Sequence, residues 1–72
     1  MATLRKRFGQ HLRQIRLNRR MTQERFAEVL DISVDFLSLV ERGRSAPSFE
    51  TLDKIAKRLR VQVSELFTFE RN

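Results

Sequence analysis

The chain has 72 residues, with 15 Lys and Arg against nine Asp and Glu, and no cysteine. That is one domain, near the lower limit for a self-sufficient core, and it excludes a disulfide framework or a Cys-based metal site. The net charge of +6 is concentrated, because residues 1–20 hold seven basic side chains and no acidic one. Basic excess of this kind fits either a polyanionic partner or an Arg-rich solvated helix face. No long apolar run or signal-peptide pattern is present, so neither membrane nor export is expected, and a reducing cytoplasm is the natural compartment.

The first helix is predicted over residues 4–19, capped by Thr3. Leu4, Phe8, Leu12 and Ile15 recur at three- and four-residue steps and make its core stripe, with Leu17 off the stripe. His11 sits beside the stripe with no ligand types around it, which fits a surface or boundary residue far better than a metal ligand.

Residues 22–42 organise the rest. Thr22 caps a second helix, and Met21 before it can pack on Phe26 as a hydrophobic staple. Phe26, Ala27 and Leu30 form the inner face, where Ala27 suits two helices crossing closely. Asp31 follows at a position that tends to need positive φ, which Asp tolerates better than most residues. Ile32 points inward, Ser33 caps a third helix, and Leu37 and Val40 face the core. Val34, Asp35, Phe36, Ser38, Leu39 and Arg42 are left around its outer sides. Two short helices joined by a tight turn read as a helix-turn-helix, a shape that places one helix in the DNA major groove.

Gly43 is placed to end the third helix in the left-handed region, Pro47 blocks continuation, and Ser48 caps a fourth helix over residues 49–59. Phe49, Leu52, Ile55, Ala56 and Leu59 are expected inward, with Lys54, Lys57, Arg58 and Arg60 crowding its later part. A short fifth helix over residues 63–67 closes the core with Val63, Leu66 and Phe67, behind Gln62, a poor capping residue. Phe69 in the tail fits no stripe; it either packs back on the domain or meets another subunit. The expected fold is all-α, a single five-helix domain over residues 1–72.

The run over residues 8–67 resembles the phage repressor/Cro-type, or XRE-like, helix-turn-helix family. The resemblance rests on LRQIR at 12–16, MTQERFA at 21–27, DIS at 31–33, LVERGRSAPSFETL at 39–52, IAKRL at 55–59 and VSELF at 63–67, each at the family's spacing. It implies a repressor-like DNA-binding domain that acts as a dimer on a palindromic or repeated site. It also implies roles. Gln23, which opens the second helix, would bond a DNA phosphate, and the loop with Arg42, Arg44 and Ser48 would face the DNA backbone. Val34, Asp35, Phe36, Ser38 and Leu39 would meet base edges. Arg16 and Glu41 would form an internal ion pair, the alternative for Arg16 being a phosphate contact.

The sequence departs from the family in three respects. Glycine is common at the ends of helices one, two and four, where this chain has Arg20, Asp31 and Arg60. Either these turns bend differently or the domain gives up about 1–2 kcal/mol at each. The weak cap at Gln62 is the second. The third is chemical: the presumed reading face lacks the Arg, Asn or Gln that reads guanine or adenine with paired bonds. Val34 and Leu39 can touch thymine methyls, and Asp35 can either accept from a cytosine amine or serve the helix dipole. Backbone contacts, methyl contacts and DNA shape are the expected sources of selectivity.

These observations predict a DNA-binding transcriptional regulator of repressor, controller or antitoxin type. It would act as a homodimer on double-stranded DNA in a bacterial or phage setting, cytoplasmic and nucleoid-associated. A chain ending at the fifth helix would have no effector domain, leaving concentration, a partner protein or proteolysis to regulate it. The competing reading is a protein-interaction module on the same fold, docking a toxin or a polymerase subunit through Val34, Phe36 and Leu39. An enzyme is not expected. One His, no Cys and only Gly9 and Gly43 supply neither a nucleophile–base pair nor a phosphate-cradling loop. Ser33, Ser48 and Ser64 are better explained as caps and helix starts. No cofactor or metal is implied.

Overall fold

The computed structural model describes residues 2–69. Its elements are α1 (Leu4–Asn18), α2 (Gln23–Leu30), α3 (Val34–Glu41), α4 (Phe49–Leu59) and a C-terminal 3₁₀ helix (Val63–Phe67). The four α-helices start where the sequence places them. Thr3, Thr22, Ser33 and Ser48 each lie in extended backbone, and each hydroxyl accepts from the N–H three residues on, at 3.0–3.2 Å.

The all-α fold is as expected, but the fifth helix is 3₁₀ rather than α. A five-residue segment is too short for a full α ladder, and i→i+3 bonding closes it instead, the Glu65 N–H donating to Gln62 O at 3.0 Å. Gln62 also starts this element better than its residue type implies. Its own N–H donates to Glu65 Oε2 at 2.7 Å, the return half of a capping box.

The core is built from Phe8 and Leu12 of α1, Phe26, Ala27 and Leu30 of α2, Leu37 and Val40 of α3, Leu52, Ile55, Ala56 and Leu59 of α4, and Leu66. Ile15, Met21, Ile32 and Phe67 pack around it. Three expected core residues are outside: Leu4 is 58 %, Phe49 86 % and Val63 40 % exposed. All three are the first residue of their element. Helical side chains lean toward the N-terminus, so a side chain in the first position leans off the end of its helix into solvent. Val34, which opens α3, is exposed for the same reason.

Helices α1 and α3 touch through Gly9. A Cβ built there would lie 2.1 Å from Val40 O and 2.9 Å from Glu41 O, closer than real Cβ atoms come. The helix backbones can therefore meet only where no side chain stands between them.

The ends of α1, α2 and α4 keep the turn that glycine normally makes. Arg20, Asp31 and Arg60 have φ of 57°, 58° and 60°. In each case the residue after the turn donates its N–H back to the helix: Met21 to Arg16 O, Ile32 to Ala27 O and Val61 to Ala56 O, at 3.0–3.2 Å. Met21, Ile32 and Val61 are also partly buried against the core. This is a Schellman motif with its apolar contact, repeated three times. The turns are not bent differently; the chain carries the left-handed strain. At Asp31 the neighbourhood helps: Lys54 Nζ donates to Asp31 O at 2.8 Å, and its carboxylate faces Lys54 and Arg58 at 3.8 and 3.7 Å.

Phe69 packs back on the domain. The Arg7 guanidinium lies 4.9 Å over its ring, and the His11 ring meets it edge-on at 5.5 Å. Phe67 stacks beside Phe8 at 5.1 Å. His11 has a structural task, its Nε2 pairing with Glu65 O at 2.9 Å across a separation of 54 residues. The remaining tail positions, 70–72, lie outside the described residues.

Candidate nucleic-acid interface

The helix-turn-helix is held by one buried carboxylate. Glu41, the last residue of α3, receives Arg16 Nε at 2.8 Å on Oε2 and Arg16 Nη2 at 3.0 Å on Oε1. The two side chains are 2 % and 10 % exposed, so this is the internal ion pair expected and not a phosphate contact. Arg16 Nη1 donates to Met21 O at 3.0 Å, tying in the chain just before α2. The α2 side adds a further bond, Gln23 Nε2 donating to Glu41 Oε1 at 3.0 Å. Three donors surround the charge, the arrangement a buried ion pair needs to be tolerated.

This network settles where Gln23 stands. The residue is half-buried at the first position of α2, its amide facing Glu41. The amide nitrogen carries two hydrogens, of which Glu41 takes one, so the second is available to an outside acceptor. Gln23 is thereby aimed by the core rather than left to find its orientation.

The five α3 residues are not equivalent. Val34 and Asp35 stand clear in solvent, whereas Phe36, Ser38 and Leu39 are half-buried along the helix edge. Phe36 packs part of its ring on the core. Asp35 lies in the first turn of its helix, as Glu24 and Glu50 do in α2 and α4, where a carboxylate suits the dipole. Arg42 is exposed, its Nε donating to Ser38 O at 3.3 Å. Arg44 is exposed, and no ion pair is formed by either arginine among the described residues. Ser48 is at the surface, but its hydroxyl already caps α4 and donates to Thr51 Oγ1 at 3.0 Å.

No group of three or more His, Cys, Asp or Glu is arranged to hold a metal among the described residues. No described helix is long and apolar enough to cross a membrane.

Two short helices in this crossing, a capped second helix with outward polar and apolar edges, and basic side chains at its far end define a helix-turn-helix domain. The HTH_3 family, described as helix-turn-helix, matches residues 12–66, and the chain belongs to it. The chain is 41 % identical over 63 residues to control protein C.BamHI of Bacillus amyloliquefaciens, covering 86 % of this chain and 78 % of that protein. It is 40 % identical over 58 residues to the immunity repressor protein of Bacillus phage phi105, covering 81 % of this chain but only 40 % of the repressor. Among solved structures, the restriction-modification controller protein C.AhdI from Aeromonas hydrophila superposes with a TM-score of 0.78 at 34 % identity, over 89 % of this chain and 96 % of that one. The clp gene regulator ClgR from C. glutamicum gives 0.79 at 32 % identity, over 92 % and 86 %. The protein is a DNA-binding transcriptional regulator of the phage repressor/Cro-type class and not an enzyme.

Proposed function

We propose that the protein binds its operator as a homodimer in the cytoplasm, each protomer laying α3 in the major groove. The observation that carries this reading is the Arg16–Glu41–Gln23 network, which fixes the start of α2 against the end of α3 before any ligand arrives. Gln23, Arg42 and Arg44 then meet phosphates, with Ser48 reaching one only if its hydroxyl turns away from Thr51. Val34 and Asp35 lie deepest in the groove, and Ser38, Leu39 and the free edge of Phe36 follow the base edges beside it. Dimerisation finds support in Phe49, a large apolar side chain left 86 % exposed at the start of α4. A controller role finds support in the relatives, since C.BamHI and C.AhdI are matched over most of their lengths.

The docking-module alternative is weaker on this surface. Of its three apolar residues, Phe36 and Leu39 are half-buried and only Val34 is exposed, which leaves a small apolar patch.

Selection from random duplexes at low salt, followed by affinities across a salt series, tests the reading. A recovered palindrome with half-sites about one helical turn apart, roughly 34 Å, supports the dimer in the groove. Salt-sensitive binding with no recovered motif removes base readout from it. No binding at low salt removes the DNA reading altogether.

A further inference from the structure

The basic residues of α1 are not a uniform surface. Arg16 is buried against Glu41, Arg7 lies over Phe69, and Arg19 Nη2 donates to Leu59 O at 3.3 Å. Arg5 and Lys6 have no such partner among the described residues, and the fold takes them somewhere specific. A Cβ built on Gly43 would fall 2.6 Å from Lys6 Cγ and 3.0 Å from Lys6 Cα. The Lys6 stem therefore lies directly on the loop that joins α3 to α4, and Arg5 lines the same shallow depression with Thr3, Leu4 and Gly43.

Gly43 is flanked by Arg42 and Arg44. Packing α1 on Gly43 thus sets Arg5 and Lys6 against the loop whose neighbouring positions are Arg42 and Arg44, gathering four cationic residues from two distant segments on one side of the fold. Neither segment supplies a neutralising acid: residues 1–20 and 42–49 hold no Asp or Glu, and Glu41 is already spent on Arg16. None of the four cations forms an ion pair among the described residues. Like charges gathered without counterions repel one another, and a row of phosphates relieves that repulsion.

We infer that Arg5 and Lys6 are DNA-backbone contacts, extending the phosphate-binding surface of the α3–α4 loop onto the start of α1. The inference rests on the DNA reading above. It assigns the charge of the first helix a place on the ligand: Gly43 is small so that the Lys6 stem can cross it, and the ammonium is carried past the loop toward the same strand that Arg44 meets. The contact is indifferent to sequence, because phosphates carry no base information.

The test uses the intact protein and a 40-base-pair random-sequence duplex, with binding measured from 50 to 200 mM salt. Each neutralised phosphate adds about −0.9 to the slope of log K against log salt. Lys6→Gln keeps the stem that packs on Gly43, and circular dichroism checks that it folds. Lys6→Gln and Arg5→Gln should each reduce the slope by about 0.9 and weaken binding by about eightfold at 0.1 M salt. Lys57→Gln, on α4 and paired with Asp53 at 3.0 Å, removes the same charge elsewhere and should leave the slope unchanged. Slopes that fall for Arg44→Ala but not for Lys6→Gln or Arg5→Gln overturn the inference and leave the DNA reading standing. Equal effects from Lys57→Gln overturn it too, since net charge would then explain the result. A parent protein that binds no duplex at 50 mM salt overturns both.

Discussion

Arg60→Gly should make the protein more stable, although it places glycine beside a helix. Arg60 sits at φ 60° and ψ 43°, its N–H donating to Lys57 O at 3.2 Å. Its side chain is exposed and forms no hydrogen bond or ion pair among the described residues. A side chain in the left-handed region costs about 1–2 kcal/mol, which glycine removes. Glycine also loosens the unfolded chain, which takes back about 0.4–1 kcal/mol. The balance is a gain of about 0.8 kcal/mol, and for a domain of this size that raises Tm by about 3–6 °C. Thermal melts of Arg60→Gly beside Arg60→Ala make the test. Alanine removes the same charge but keeps the Cβ, so it should gain nothing. A glycine variant that melts no higher than the parent would refute the strain argument, and an alanine variant that gains equally would assign the effect to charge. Asp31→Gly should gain less, because Asp tolerates this backbone and its carboxylate faces Lys54 and Arg58.

Gly9→Ala should destabilise by about 3 kcal/mol, the upper part of the range for overpacking, because the new methyl meets α3 carbonyls rather than a movable side chain; urea titration at parental stability would rule out the close approach. Glu41→Ala should cost about 3–5 kcal/mol by leaving Arg16 buried and alone, enough to unfold a domain with a small margin, and a cooperative melt near the parent's would contradict it. Phe49→Ser should shift Tm little, the ring being 86 % exposed, yet weaken self-association in sedimentation equilibrium; unchanged association would show that the dimer forms elsewhere.

Local chemistry made most of the fold legible. Thr3, Thr22, Ser33 and Ser48 announce the four α-helix starts by residue type, and each hydroxyl makes the bond that type permits. Periodicity found the inner faces but not where they end: Leu4, Phe49 and Val63 continue their stripes in sequence and lean off their helices in space. Gln62 is a poor cap by residue type, but Glu65 three residues on carries the sign of a capping box. The Gly9 contact with Val40 and Glu41 could not be placed from the sequence, because it joins residues about thirty positions apart. A lone glycine inside a helical pattern was nonetheless the available signal of a close approach. At the site, the Arg16–Glu41 pair follows from the family resemblance. That Gln23 shares the same carboxylate depends on how α2 sits over α3, which residue types do not reveal.

The position of Glu41 bears on how the protein assembles. Its carboxylate is on α3, while its donors arrive from α1 and from the start of α2, 25 and 18 residues away. Any subset of these helices that began to bury Glu41 would strand a charge short of its donors, a state several kcal/mol uphill. Partial structures that bury Glu41 without Arg16 are penalised. The helix-turn-helix is therefore not a portable cassette. Cut out as a 22–42 peptide it would keep Glu41 and Gln23 but lose Arg16, the partner that balances the buried charge.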